Sequence, residues 1–120
     1  MYVNSYVLSV PEKNKDEYIK VANIFAEIAK DYGVLEIFEN WEKEVPDGKL
    51  TDFRKAVQAN TGEKIVLSWI VWPDQETADN AHKEMFNDPR MGEIGEMPFD
   101  GKRMIFGGFE PILSYRKEVS

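Results

Sequence analysis

The segment Ile65-Val66-Leu67-Ser68-Trp69-Ile70-Val71-Trp72 constrains the fold more than any other stretch of the chain. It is rich in β-branched and aromatic residues, too short for a core helix, and closed by Pro73. Apolar side chains stand at both odd and even positions. A strand of that kind is covered on both faces, so Lys64 to Trp72 predicts the central strand of a sheet. Trp69 and Trp72 must then point to opposite sides.

The other elements follow from periodicity. Tyr2 to Val10 alternates, with Tyr2, Asn4, Tyr6 and Leu8 on one face and Val3, Ser5, Val7 and Ser9 on the other, and stops at Pro11. Asn14 followed by Glu17 has the spacing of a capping box. From there Tyr18, Val21, Ala22, Phe25, Ile28, Ala29 and Tyr32 recur at helical spacing until Gly33. Val34 to Lys43 returns to period two, with Leu35, Ile37, Glu39 and Trp41 facing one way. Val45 to Gly62 has no clear period and predicts an excursion with one helical turn around Asp52 to Val57.

Asp74 suits the cap of a second helix whose inner face carries Ala78, Ala81, His82 and Met85, and which ends at Asn87-Asp88-Pro89. Arg90 to Glu96 predicts a short helical turn. Asp100-Gly101 reads as a tight turn with positive φ at the glycine, feeding a last strand from Arg103 to Phe109. Gly107 and Gly108 interrupt that strand, which implies a bend, room for a bulky neighbour such as a tryptophan, or the approach of a ligand.

The order is β-α-β-β-α-β, an α+β, ferredoxin-like sandwich of a four-stranded antiparallel sheet with two helices on one face. Because strand three is apolar on both sides, the face without helices needs a cover. A second copy of the chain, pressing sheet to sheet, supplies one and makes a homodimer.

At 120 residues the chain is read as a single domain, 1–120. The absence of cysteine removes disulfide, thiolate and cysteine-zinc chemistry and fits a reducing compartment. Met1 to Tyr6 lacks the basic and apolar regions of a signal peptide, and no apolar run approaches the roughly 20 residues that span a bilayer. The expected location is the cytoplasm, away from membranes. With a net charge of −7 and scattered basic residues, nucleic acid is excluded as a partner. One histidine, His82, and no cysteine leave no metal-ligand spacing.

Val45-Pro46-Asp47-Gly48-Lys49-Leu50-Thr51-Asp52-Phe53, Ser68-Trp69-Ile70, Asn87-Asp88-Pro89-Arg90-Met91 and Met97 to Ile112 together resemble the YbaA-like family of uncharacterised small bacterial proteins. The resemblance implies the dimeric α/β-barrel group of ferredoxin-like folds. It brings no known activity, substrate or catalytic residue. The wider group includes haem-degrading and quinol-forming monooxygenases, and its haem-degrading members use an Asn on strand one, a Trp on strand three and a His on the second helix. Asn4, Trp72 (or Trp69) and His82 stand on those elements here, although the loop and closing motifs depart from the haem-degrading pattern.

A lone histidine on an alanine and methionine face is ordinarily a packed helix residue, and the many carboxylates, among them Glu36, Glu39, Asp52 and Asp100, offer no unique acid and base pair. Asp47-Gly48 and Asp100-Gly101 are explained as turns, and no glycine-rich phosphate loop leads into a helix. Tyr6, Trp69, Phe106, Gly107, Gly108 and Phe109 are the candidates for lining a ligand pocket, against their ordinary use as core or interface. The sequence therefore predicts a homodimer that binds a small apolar or aromatic molecule, with no cofactor. A monooxygenase-type enzyme using Asn4, Trp72 and His82 is the alternative, and an interaction module presenting the 45–62 excursion is a third.

Overall fold

The computed structural model describes residues 1–118. Strands β1 (Tyr2–Pro11), β2 (Glu36–Trp41), β3 (Glu63–Trp72) and β4 (Ile105–Phe109) form one sheet in the order β2-β3-β1-β4. Every neighbouring pair is antiparallel. Helices α1 (Lys15–Lys30) and α3 (Gln75–Met85) lie on one face, while α2 (Phe53–Ala56) is a single turn in the excursion before β3. The architecture is the ferredoxin-like α+β sandwich that the periodicity predicts.

The register explains the core. Leu8 pairs with Val66, Asn4 with Ile70 and Tyr2 with Trp72, and Ile37 of β2 sits across from Ile70. These side chains share the helix-bearing face. Trp72 is completely buried against Ile28 and Ala29 of α1 and Ala78, Ala81 and Met85 of α3. Three alanines at the contact leave room for the indole between the helices and the sheet. Leu8, Val10, Val66 and Tyr18 make a second cluster toward the other end. α1 stops where Gly33 takes a φ of +95°, the left-handed conformation that glycine accepts without a Cβ clash. α3 begins at Asp74, whose carboxylate accepts the Thr77 N–H at 2.7 Å.

The opposite face carries no helix, and the chain's own segment from Pro111 to Arg116 lies along part of it, sharing a hollow with Val3, Trp69 and Val71 and pairing Arg116 with Glu36. Val3, Val7, Leu67, Trp69 and Val71 are half-buried, and Phe38, Ile105 and Phe109 are 45%, 47% and 57% exposed.

Four local expectations are corrected. Asn14 caps no N–H of α1, because its amide donates to the Pro98 carbonyl at 3.0 Å and ties the helix start to the closing segment. Gly101 does not have positive φ; among the described glycines only Gly33 and Gly62 do. It opens a 3-10 turn, Gly101–Arg103, in which Asp100 accepts the Lys102 N–H. The last strand starts at Ile105, not Arg103, since the Arg103 guanidinium is drawn away to carboxylates. The glycine pair makes room for a tyrosine and no tryptophan: a Cβ on Gly108 would fall on the Tyr2 hydroxyl.

Segments without long elements are held by charge. Arg103 donates to both oxygens of Glu63 at 2.8 Å, to Asp100 at 3.0 Å and to the Gln58 carbonyl at 2.9 Å. Arg54 bridges Glu42, Asn60 and Glu63, while Asp52 accepts the N–H groups of Gly48 and Lys55. The excursion is thus pinned to the sheet, and its Val57 is buried in place.

Arg103 holds the Glu63 carboxyl down at about 2, below its ordinary 4.5. A carboxylate with a depressed folded pKa stabilises fully above its unfolded pKa and loses that contribution as pH falls through the folded one. Arg103→Ala should therefore cost about 1–3 kcal/mol at neutral pH by leaving Glu63 without its partner. Arg103→Lys should recover only part, since an ammonium cannot reproduce the two-pronged contact. Urea unfolding at pH 7 and near pH 2 checks this. The gap between wild type and Arg103→Ala should shrink at the lower pH, and an equal gap at both would show that the ion pair is not its source.

Candidate functional site

Between the sheet and the two helices lies a cleft roofed by the segment from Phe86 to Met104. Two adjoining hollows of about 440 and 260 Å³ share Tyr6, Phe25, Phe86, Met91 and Met104 as walls. Alternation on β1 delivers Tyr2, Asn4 and Tyr6 to it, and α1 contributes Phe25. Met85 is the last residue of α3, and Phe86, Met91, Met97 and Met104 come from the segment between α3 and β4. Half of the lining is phenylalanine, tyrosine or methionine, and a handful of polar groups stand out against it.

At one end the Trp72 indole N–H donates to Asn4 Oδ1 at 2.9 Å, in a wholly buried contact. The His82 ring meets the edge of Trp72 at 5.8 Å between centroids and lines the larger hollow. His82 Nε2 is shut off from solvent and has no hydrogen-bond partner. The structure thus brings Asn4, Trp72 and His82 to one place, with Trp72 behind the wall and the other two in it.

At the other end the Tyr18 hydroxyl donates to Glu39 Oε2 at 2.7 Å. Tyr18 is buried and Glu39 is open to the cleft. Crowding by protein atoms pushes the Glu39 carboxyl above the usual carboxylate range, with the Tyr18 hydrogen bond pulling the other way. Burial, and then the Glu39 carboxylate, push the Tyr18 phenol far up. Tyr6, between the two ends, is raised for the same reasons in the same order. A third hollow of about 370 Å³ reaches Glu39 and Tyr18 from outside, past Lys15 and Trp41.

The predicted pocket residues divide between the two sides of the sheet. Tyr6 and Phe106 stack at 6.1 Å within the cleft, and Gly107 and Gly108 line it with their backbone. Trp69 and Phe109 point to the face without helices, where Trp69 stacks on Phe38 at 5.2 Å and donates to Glu36 at 3.3 Å. They cannot share a pocket with Tyr6, because neighbouring positions of a strand face opposite ways. Among the described residues no cluster of three histidines or carboxylates is arranged for a metal ion.

Sequence reasoning passed over the Tyr18–Glu39 pair. The available signal was a carboxylate between Ile37 and Trp41 on the inward face of strand two. Phe86, Met91 and Met104 were equally missed, because irregular segments carry no period from which a facing can be read.

Known proteins bear on this geometry in three ways. The family model described as "Protein of unknown function (DUF1428)" matches residues 1–101. "Uncharacterized protein YbaA" of Escherichia coli K12 is 52% identical over 113 residues, covering 93% of this chain and 97% of its own, and its counterpart in Shigella flexneri matches to the same extent. Among solved structures, a dimeric ferredoxin-like protein from an uncultured marine organism superposes with a TM-score of 0.54 at 7% identity, over 98% of this chain and 100% of that one. At that identity the likeness shows the fold alone. A match over most of the chain, with half the residues shared with the YbaA proteins, establishes that this chain belongs to the DUF1428 family of unknown function.

Proposed function

We propose that this chain acts in the cytoplasm as a homodimer that binds a small apolar or aromatic molecule in the cleft between sheet and helices. The observation that carries the reading is the cleft itself. Hollows of about 440 and 260 Å³ meet along aromatic and methionine walls, with a few polar groups at their ends, which is the usual make-up of a small-molecule site. Methionine walls adapt to ligands of varied shape. A net charge of −7 disfavours nucleic acid, and among the described residues no helix is long and apolar enough to cross a membrane.

Mass spectrometry of solvent extracts from the purified protein tests uptake. A small aromatic or aliphatic compound should co-purify with wild type. It should be absent from Met104→Trp, in which a larger ring fills the space between the two hollows. Equal recovery from both proteins would place the compound elsewhere.

Dimerisation is supported by the sheet face without helices, where Trp69, Phe38, Ile105 and Phe109 present apolar side chains. The ferredoxin-like neighbour is itself described as dimeric. Sedimentation at micromolar concentration should give two chains per particle. Phe38→Glu, at a position a folded monomer exposes, should shift the population to monomers by weakening association at least roughly tenfold. A wild-type monomer with that face exposed would refute this arrangement.

The monooxygenase alternative draws on the meeting of Asn4, Trp72 and His82. These residues do not fit haem. Nε2 of His82 is closed off, whereas an axial ligand presents a free ring nitrogen. The hollows hold the Glu39 carboxylate and no lysine or arginine, so haem propionates would meet repulsion without a partner. A titration followed at the Soret band should show no saturable one-to-one binding. Binding that saturates in wild type and vanishes in His82→Ala would promote the enzyme reading.

A further inference from the structure

We infer that the Glu39 end of the cleft is a site for a protonated amine carried on an aromatic or alkyl body. The inference rests on the cleft being a ligand site and names the chemistry it selects.

Glu39 stands on the inward face of β2, opposite Ser68 and between Ile37 and Trp41, and is exposed at the end of the cleft. The protein supplies one partner, the neutral Tyr18 hydroxyl on Oε2. Among the described residues no lysine or arginine lies within ion-pair distance of Glu39, although nine such pairs form elsewhere. Lys15, which lines the adjoining hollow, has its ammonium over the Trp41 ring at 5.2 Å. The carboxylate is accessible from the cleft, and the protein atoms around it raise its pKa while the Tyr18 hydrogen bond pulls the other way.

The complement of such a carboxylate is a ligand cation. Tyr6, Tyr18, Phe25 and Phe99 surround the hollow beside it, and aromatic faces favour an ammonium group while sheltering the apolar body attached to it. Tyr18 holds the carboxylate in place and leaves the other oxygen, Oε1, to accept from the amine. Ligands bearing carboxylate or phosphate meet only repulsion from Glu39. The site therefore separates ligands by charge at one end and accepts varied apolar bodies along the methionine and phenylalanine walls.

The test compares three probes of one shape at neutral pH: 2-phenylethylamine, 2-phenylethanol and phenylacetate. Each is titrated against the full chain while the backbone amide signals of Tyr18, Ile37 and Ser68 are followed by NMR. The amine should bind at least roughly tenfold more tightly than the alcohol, as a charge-assisted hydrogen bond to Glu39 implies, and the acid should bind least. Glu39→Gln should bring amine and alcohol together, whereas Tyr18→Phe, which keeps the carboxylate, should preserve the preference. Unchanged amide dispersion shows that both variants are folded. Alcohol and amine binding within about twofold of each other, or a preference that survives Glu39→Gln, overturns the carboxylate's role and leaves the cleft a ligand site. If none of the probes moves a cleft signal, both readings fall.

Discussion

The antiparallel ladder between β1 and β3, from Tyr2 opposite Trp72 to Pro11 opposite Glu63, is the constraint on which the rest depends. Side chains on a strand alternate, so this one register decides what each face of the sheet contains. As built, Asn4, Tyr6, Ser68 and Trp72 turn toward the helices, while Val3, Val7, Leu67 and Trp69 turn away. A slip by one residue would exchange the two sets and bury Trp69 under the helices in place of Trp72. The three alanines of α1 and α3 hold the register by accommodating Trp72 at the bottom of their contact, and the hydrogen bond to Asn4 satisfies its indole N–H.

The cleft also depends on the segment from Asn87 to Met104, which forms its roof without a strand or a long helix. Charged clamps provide what regular structure does not. Arg90 reaches Asp88 and, at 2.9 Å, Asp31 beyond the end of α1, and the Tyr32 hydroxyl donates to the same Asp88. The Arg90 guanidinium holds the Asp88 carboxyl well below the usual range. Arg103 does the equivalent at the other end, joining Asp100 to Glu63 at the start of β3. Exposed ion pairs are individually weak, but a two-pronged guanidinium contact fixes orientation, and orientation is what a roof needs. The words Asn87-Asp88-Pro89-Arg90-Met91 and Met97 to Ile112, which carry much of the family resemblance, thereby acquire a structural meaning: they anchor the walls of the cleft.

The element order was legible because two periods, near two and near 3.6, follow each other cleanly along the chain. The opposite facing of Trp69 and Trp72 follows from the same periods, whereas the grouping of Asn4, Trp72 (or Trp69) and His82 came from the resemblance. Other features depend on partners distant in sequence. Asn14 gives up capping because Pro98, 84 positions away, offers a carbonyl. Gly101 needs no positive φ because Asp100 caps a 3-10 turn, an outcome that an Asp-Gly pair shares with the tight turn and that local sequence does not separate. Gly108 answers to Tyr2 across the β1–β4 pairing. Grouping Trp69 and Phe109 with Tyr6 treated aromatic character as though it fixed direction, when the parity of each position decides it. Glu39 was visible as an oddity on an apolar face, but its importance depends on Tyr18 from α1 and on the lack of a nearby cation.

The edges of the sheet bear on how two copies would meet. An exposed edge strand offers unpaired N–H and C=O groups, and proteins blunt such edges with short strands, charges, proline and irregular residues. Here β2 has six residues and includes Glu36 and Glu39, with the Asn40 amide turned back onto the Leu67 carbonyl. β4 has five residues, contains the glycine pair, and is followed by Glu110 and Pro111. Neither edge is a good template for a continuous intermolecular sheet. The face without helices, in contrast, presents apolar side chains from all four strands, with the segment from Pro111 to Arg116 and its ion pair to Glu36 along part of it. Pairing face to face buries that surface and leaves the clefts, on the far side of each sheet, accessible. Assembly and ligand uptake would then use opposite faces of the same strands, an arrangement permitted by a central strand that is apolar on both sides.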